Sequence, residues 1–200
     1  MNIQQMIFDE RQPEILYGKL GKTYVFCNEK ELQVEEPVYG EGMEEEPETH
    51  KVTKYQYDVR IINPLTKDET GVIEALKKQV SEELDAFDNG EYAKYGEKAV
   101  NDFTVSGMHM WLDKETRNGL RFRFESQQAL GQSETTLWYG TISVPLQIEQ
   151  AIGMLQMLEV YASQCFDQTA MHQKAISELN TVSEVFNYDY TQGYPSHLSF

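Results

Sequence analysis

One stretch constrains this chain more than any other. From Gln147 to Ser177 the residues Ile148, Ala151, Ile152, Leu155, Leu158, Ala162 and Cys165 recur at three- and four-residue steps, which places them on one side of a helix. Met154, Met157 and Tyr161 widen that stripe, so the helix touches neighbours across more than a narrow seam. Asp167 or Thr169 can cap a new helix, and Met171, Ala175, Ile176 and Leu179 then give a second, shorter apolar face. The expectation is a helix pair forming one wall of a core.

What that wall faces is written upstream as short strands. Phe103–Val105 and Met108–Leu112 flank Ser106–Gly107, a tight-hairpin signal. Thr135–Tyr139 and Thr141–Leu146 flank Gly140, whose tolerance of positive φ suits a reversal, and Pro145 fits the end of a sheet. Between the hairpins the segment after Asp113 reads two ways. Asp113 can cap a helix from Lys114 with Thr116, Leu120, Phe124 and Gln127 on one face. Leu120, Phe122 and Phe124, alternating with Arg121, Arg123 and Glu125, instead make a strand pattern, which the spacing alone slightly favours. Further on, Thr181 and Glu184 have capping-box spacing. Tyr188–Tyr194, Leu198 and Phe200 form an aromatic tail expected to fold back on the body.

The amino-terminal part has its own character. Ile15–Tyr17, Thr23–Phe26 and Lys51–Ile62 read as strands. Between Glu29 and His50 stand nine glutamates and one lysine with scattered Pro and Gly, and composition reads this as an exposed acidic loop. A metal site at Glu44–Glu46 is disfavoured, because consecutive carboxylates do not converge without a fixed backbone. Thr66 and Glu69 have capping-box spacing before a helical face of Ile73, Leu76, Val80, Leu84 and Phe87, ended by Asp88–Asn89–Gly90. Residues 91–99 have no clear pattern. The fold class expected is α+β: a small antiparallel sheet of hairpins packed against helices, with a separate small amino-terminal β region. Its parts are residues 1–62 with the acidic loop 29–50, a linker helix and connection over 63–99, and a domain over 100–200.

The net charge is −16, half of it in residues 1–50. That excess repels phosphates, and no Lys/Arg stripe offers a nucleic-acid footprint; anionic membranes are disfavoured on the same ground. No apolar run approaches the roughly 20 residues that span a bilayer, and no secretory leader is visible at Met1. Cys27 and Cys165, far apart and only two, read as free thiols of a reducing compartment, with a disulfide the lesser alternative.

Candidate chemistry is thin. The phosphate loop, dinucleotide fingerprint, nucleophile elbow and paired-histidine zinc helix are all absent. Cys165 and His172 are the nearest thing to a nucleophile and base, but seven helical residues separate them by roughly 10 Å, against the roughly 3 Å of proton transfer. A helix break at Asp167–Thr169 would be needed to bring them together. The plainer readings are a core cysteine and a helix-end histidine. Asp113 and Arg117, four apart, suggest an ion pair or a cap, or a ligand anchor at Arg117 beside Trp111. Trp111 and Trp138, in separate hairpins, could be neighbours in one sheet, as core plugs or as a ligand platform. Glu82–Glu83 reads as a solvated pair, and His109 has too few companion ligands to suggest a metal. No cofactor is expected.

The strings VNDFTVSGMHMWLDKETR, TTLWYG, MLQMLEVYASQCFDQTAMHQKAI and VFNYDYTQGYPSHLSF, in this order over Val100–Phe200, resemble the DUF4376-like family of unknown function found in phage and prophage proteins, often encoded near tail genes. Thr66–Phe87 is similar to its usual lead-in helix, so the resemblance covers about residues 66–200 and leaves 1–62 outside. It implies that Lys114–Leu130 is a helix after a hairpin. Asp113, Arg117, Trp138, Tyr161, Cys165, Thr169 and His172 occupy its characteristic words, among companions that are mostly packing and capping types.

Three functions follow as expectations. The first is a non-catalytic phage or prophage accessory or structural protein, tail-associated by the genomic habit of the resemblance. It would contact other protein subunits, tail proteins or its own copies, in the host cytoplasm or on the virion, and requires an exposed apolar patch. The second is a ligand-binding module in which Trp111, Trp138 and Arg117 converge, with Asp113 and His172 as further interaction residues. The third is an enzyme that needs Cys165 and His172 in contact.

Overall fold

The computed structural model describes residues 3–38, 48–90 and 100–200. Its first half runs β1 (Gln4–Phe8), β2 (Ile15–Tyr17), β3 (Thr23–Val38), β4 (Glu48–Ile62), α1 (Glu69–Asp88), β5 (Phe103–Val105) and β6 (Met108–Met110). There follow α2 (Lys114–Ala129), β7 (Glu134–Tyr139), β8 (Ile142–Gln147), α3 (Ile148–Glu178), α4 (Val182–Phe186) and β9 (Leu198–Ser199). The architecture is α+β. Contacts divide the chain into two compact units, each discontinuous in sequence: Met1–Ser81 with Ile176–Tyr188, and Glu82–Ala175 with Asp189–Phe200. Two of the three dividing points fall inside α1 and α3, and the third follows α4, between Tyr188 and Asp189.

In the first unit β1–β4 form an antiparallel sheet in the order β1-β4-β3-β2. Phe26, Tyr57 and Val59 are its buried cluster, with Met6, Phe8, Tyr24 and Tyr55 packed around them. Phe26 meets Phe8 and Tyr57 edge-on at centroid distances of 5.6 and 5.7 Å, a favourable aromatic geometry.

The acidic segment departs from expectation. Glu29–Val38 and Glu48–His50 are strand, not loop: beyond an irregularity between Cys27 and Lys30, β3 and β4 continue as a paired ribbon to Val38↔Glu48. The reason lies in a period-two pattern that the glutamates hide. Leu32, Val34 and Glu36 are half-buried while Glu31, Gln33, Glu35 and Pro37 face solvent. Lys54 bridges Glu36 and Asp9, and Glu35 stands opposite Lys51. Glu44–Glu46 lies outside the described residues, as does 91–99.

At α1 the cap is Asp68, not Thr66: its carboxylate accepts from the Gly71 amide at 2.7 Å and the Thr66 hydroxyl at 2.8 Å. Val72, Leu76 and Val80 are buried in the first unit. Buried Arg60 places its guanidinium 5.4 Å from the centre of the Phe186 ring in α4. Thr181 and Glu184 make the expected reciprocal capping box at the start of α4.

In the second unit the two hairpins form where expected, but in separate sheets: β6-β5-β9 and β7-β8. Ser106 and Gly107 take φ of 49° and 81°, the mirror-image turn that matches strand twist. Lys114–Ala129 is a helix. The alternation that favours a strand there is broken by Phe122, which is 74% exposed beside buried Phe124. α3 is one continuous helix, where a break at Asp167–Thr169 was expected. A cap-type residue does not stop a helix where no Gly or Pro stands beside it, and the Thr169 hydroxyl bonds Asp88 and Tyr194 at 2.9 Å instead of its own backbone. The aromatic tail folds onto this unit, with Leu198 and Phe200 against the cluster of Phe103, Leu158, Tyr161 and Cys165.

Candidate functional site

The second unit holds an apolar cleft of about 220 Å³. Leu120 of α2, Leu137, Trp138 and Val144 of the β7–β8 hairpin, and Met154 and Leu158 of α3 line it. Thr116 and Arg123 are the polar side chains at its wall. Arg123 reaches the Thr135 hydroxyl at 3.3 Å and the Thr136 carbonyl at 3.1 Å, which fixes the guanidinium against the hairpin.

Of the expected ligand residues only Trp138 lies on this cleft. Trp111 stands past the end of β6, its indole N–H donating to Asn101 Oδ1 at 2.9 Å, and the two tryptophans belong to different sheets' hairpins. Asp113 caps α2 through the Thr116 amide. Arg117 does not pair with Asp113. It is 8% exposed and bonds Glu159 Oε2 at 2.8 Å and the Leu112 carbonyl at 2.7 Å, so one donor holds α2 to α3 and another holds it to the segment before it. The convergence of Trp111, Trp138 and Arg117 does not form.

Cys165 and His172 sit on the uninterrupted α3, two turns apart, and their polar atoms point to different partners. Cys165 Sγ donates to the Val100 carbonyl at 3.7 Å, and burial pushes its pKa up to about 11. A buried thiol with a raised pKa is a poor nucleophile. His172 Nε2 lies 2.8 Å from the Gln192 carbonyl and its ring 5.6 Å from that of Tyr194, which ties the tail to α3.

A different polar group assembles beside the β5–β6 hairpin. Asp102 precedes β5, His109 is the middle residue of β6, and His197 precedes β9. Thr104 is opposite His109, and β9 pairs parallel with β5, Phe103 against Leu198 and Thr104 against Ser199. Alternation then puts Asp102, Thr104, His109, His197 and Ser199 on one face, and Phe103, Met110 and Leu198 on the face that packs into the core. Asp102 Oδ2 lies 3.1 Å from His109 Nδ1, and Oδ1 lies 2.9 Å from His197 Nε2. In the local sequence His109 has too few companion ligands; the fold supplies two, one of them 88 residues away. The polar–apolar alternation of His197, Leu198, Ser199 and Phe200 was the available signal.

On the outer side of α3, Met157, Val160 and Met171 are each more than half exposed. With Gly153 and Gln164 they fall at steps of four, three, four and seven residues, a heptad-like seam facing away from the unit's core. Beside it runs an open groove between α3 and the tail, lined by Gln156, Tyr161, Pro195 and Leu198. Among the described residues no helix is long and apolar enough to cross a membrane. Comparison with known proteins finds no matching family model, no matching curated protein and no matching solved structure.

Proposed function

We propose that this chain is a non-catalytic accessory or structural protein of a phage or prophage that works through protein contacts, with a second copy of itself as the first partner to test. The observation that carries the contact reading is the outward seam of α3. Met157, Val160 and Met171 at helical spacing are what a helix presents when it packs on another helix. The seam alone is too small for a stable interface, which needs about 1,000 Å² in total. The adjoining groove and its tail residues Pro195 and Leu198 must therefore be covered as well. The phage and tail context rests on the resemblance in residues 66–200. A net charge of −16 argues against nucleic acid and anionic lipid as partners. We accordingly read its place of action as the host cytoplasm or the virion.

Light scattering across a concentration series tests the contact. The expected mass rises above the 23.2 kDa of one chain, and Met157→Lys with Val160→Lys returns it to that value while circular dichroism stays unchanged. A mass of one chain at every concentration would overturn self-association.

A second reading, a site for a small apolar ligand, has one observation in its favour: the cleft beside Trp138. It uses Thr116 and Arg123 rather than Trp111 and Arg117. Quenching of the Trp138 emission by a small aromatic probe in a Trp111→Phe chain, lost on adding Val144→Phe, is its signature.

A further inference from the structure

We infer that Asp102, His109 and His197 form a binding site for one divalent transition-metal ion, zinc being the working probe, and that the ion fastens the segment leading into β9 to the β5–β6 hairpin. This stands apart from the contact reading and does not depend on it. Two imidazoles and one carboxylate are the nitrogen and oxygen donors that zinc and its first-row neighbours take. All three donor atoms lie within 4.8 Å of one another. Bonds of about 2.0–2.2 Å to zinc imply donor–donor edges of about 3.3 Å in a tetrahedron. His109 Nδ1 lies 3.1 Å from Asp102 Oδ2 and His197 Nε2 2.9 Å from Oδ1, one carboxylate oxygen to each ring, so three donors within 4.8 Å have at most about 1.5 Å to close to reach that edge. Small turns of the two rings complete the set.

The surroundings suit such an ion. The Asp102 side chain is 5% exposed, His109 30% and His197 41%, so a buried carboxylate sits beneath two imidazoles at the rim. An ion held there keeps a side open to water, as three-ligand sites do. The backbone placing the ligands is already paired, with His109 fixed by β5–β6 and His197 by β5–β9. β9 is two residues long, Leu198–Ser199, and Phe200 extends its hold on β5 through backbone bonds with Thr104 and Ser106. A ligand bond through His197 adds to it. Without an ion the same three groups can form a clamp in which Asp102 accepts a hydrogen bond from each ring, and the test must separate the two.

The full chain, stripped with chelator and dialysed, is titrated with Zn²⁺ against a chromogenic competitor, and with Co²⁺ for its visible d–d bands. The expected result is one ion per chain, a rise in melting temperature with zinc, and shifts of the His109 and His197 ring signals while those of His50 and His172 stay. His197→Gln keeps an amide that can donate to Asp102 but ligates metal poorly. It and His109→Gln should weaken binding by more than about 100-fold, since losing a mere supporting partner costs about 10–100-fold. Absence of stoichiometric binding by the unmodified chain overturns the site. So does binding that survives both substitutions, which would put the ion elsewhere, as on the glutamates of residues 41–48. The ring signals need only the unmodified chain, so a misfolded variant does not spoil the test.

Discussion

At Asp113 one carboxylate closes the first turn of α2, taking the Thr116 amide at 2.7 Å and its hydroxyl at 2.8 Å. Those bonds, the amide first, hold its pKa below the ordinary 3.8. A depressed folded-state pKa means the unfolded chain takes up the proton first. The stabilisation is therefore complete above the ordinary value and disappears as pH falls through the depressed one. Asp113→Asn keeps a capping acceptor but not the charge. Its melting temperature should lie below that of the parent at pH 7, and the gap should close as the pH is lowered beneath 3.8. A gap constant with pH would sink the account. Gly71 shows a different constraint, close approach. A Cβ there would come within 2.5 Å of the Thr66 carbonyl oxygen, so Gly71→Ala should cost about 1–3 kcal/mol in denaturant unfolding. Gly119 in α2 has nothing within 4 Å, and Gly119→Ala should instead stabilise by about 1 kcal/mol.

Among the elements, those specified by local period were legible and those specified by distant pairing were not. Both second-unit hairpins, the capping box at Thr181 and the apolar face of α1 follow from residues within a few positions of one another. The β3–β4 ribbon was hidden because its glutamates dominate composition, although Leu32 and Val34 keep the strand period. By local pattern α3 reads as two helices because Asp167 and Thr169 look like caps, whereas Asp88 and Tyr194, distant in sequence, give Thr169 other partners. The β5–β9 pairing is two residues long and joins positions 95 apart. No local pattern announces it, and the Asp102, His109 and His197 group went unseen with it. Arg117 teaches the same lesson. Its neighbour at i−4, Asp113, suggested an ion pair, whereas Glu159, 42 residues on, takes the guanidinium. Because Arg117 joins α3 and the Leu112 carbonyl through separate nitrogens, Arg117→Met should cost about 1.5–3 kcal/mol. Arg117→Lys should recover only part, for want of a second fixed donor. Thermal unfolding of the pair decides it. Full recovery by lysine would show that charge alone matters there.

On the scale of the whole molecule, neither unit is a continuous piece of chain, yet each contains one cysteine that can report on it. Cys27 belongs to the first unit and Cys165 to the second; both are buried free thiols, and burial raises each pKa to about 11. Ending the chain after Tyr188 removes residues 189–200, all from the second unit. That takes away Tyr190, whose hydroxyl reaches Glu83 at 3.4 Å, the Tyr194 bond to Thr169, and the Leu198 and Phe200 cover over Cys165. Once uncovered, the Cys165 thiol returns toward the ordinary 9.0. At pH 8 its thiolate fraction then rises about 100-fold, and reaction with an aromatic disulfide reagent should speed up by at least about 10-fold, since a thiolate of lower pKa is intrinsically the weaker nucleophile. Cys27 should stay slow, because the strands and the Ile176–Tyr188 segment of its unit remain intact. If both thiols stay slow, the tail is not part of the second unit's core. If both react quickly, loss of the tail also opens the first unit.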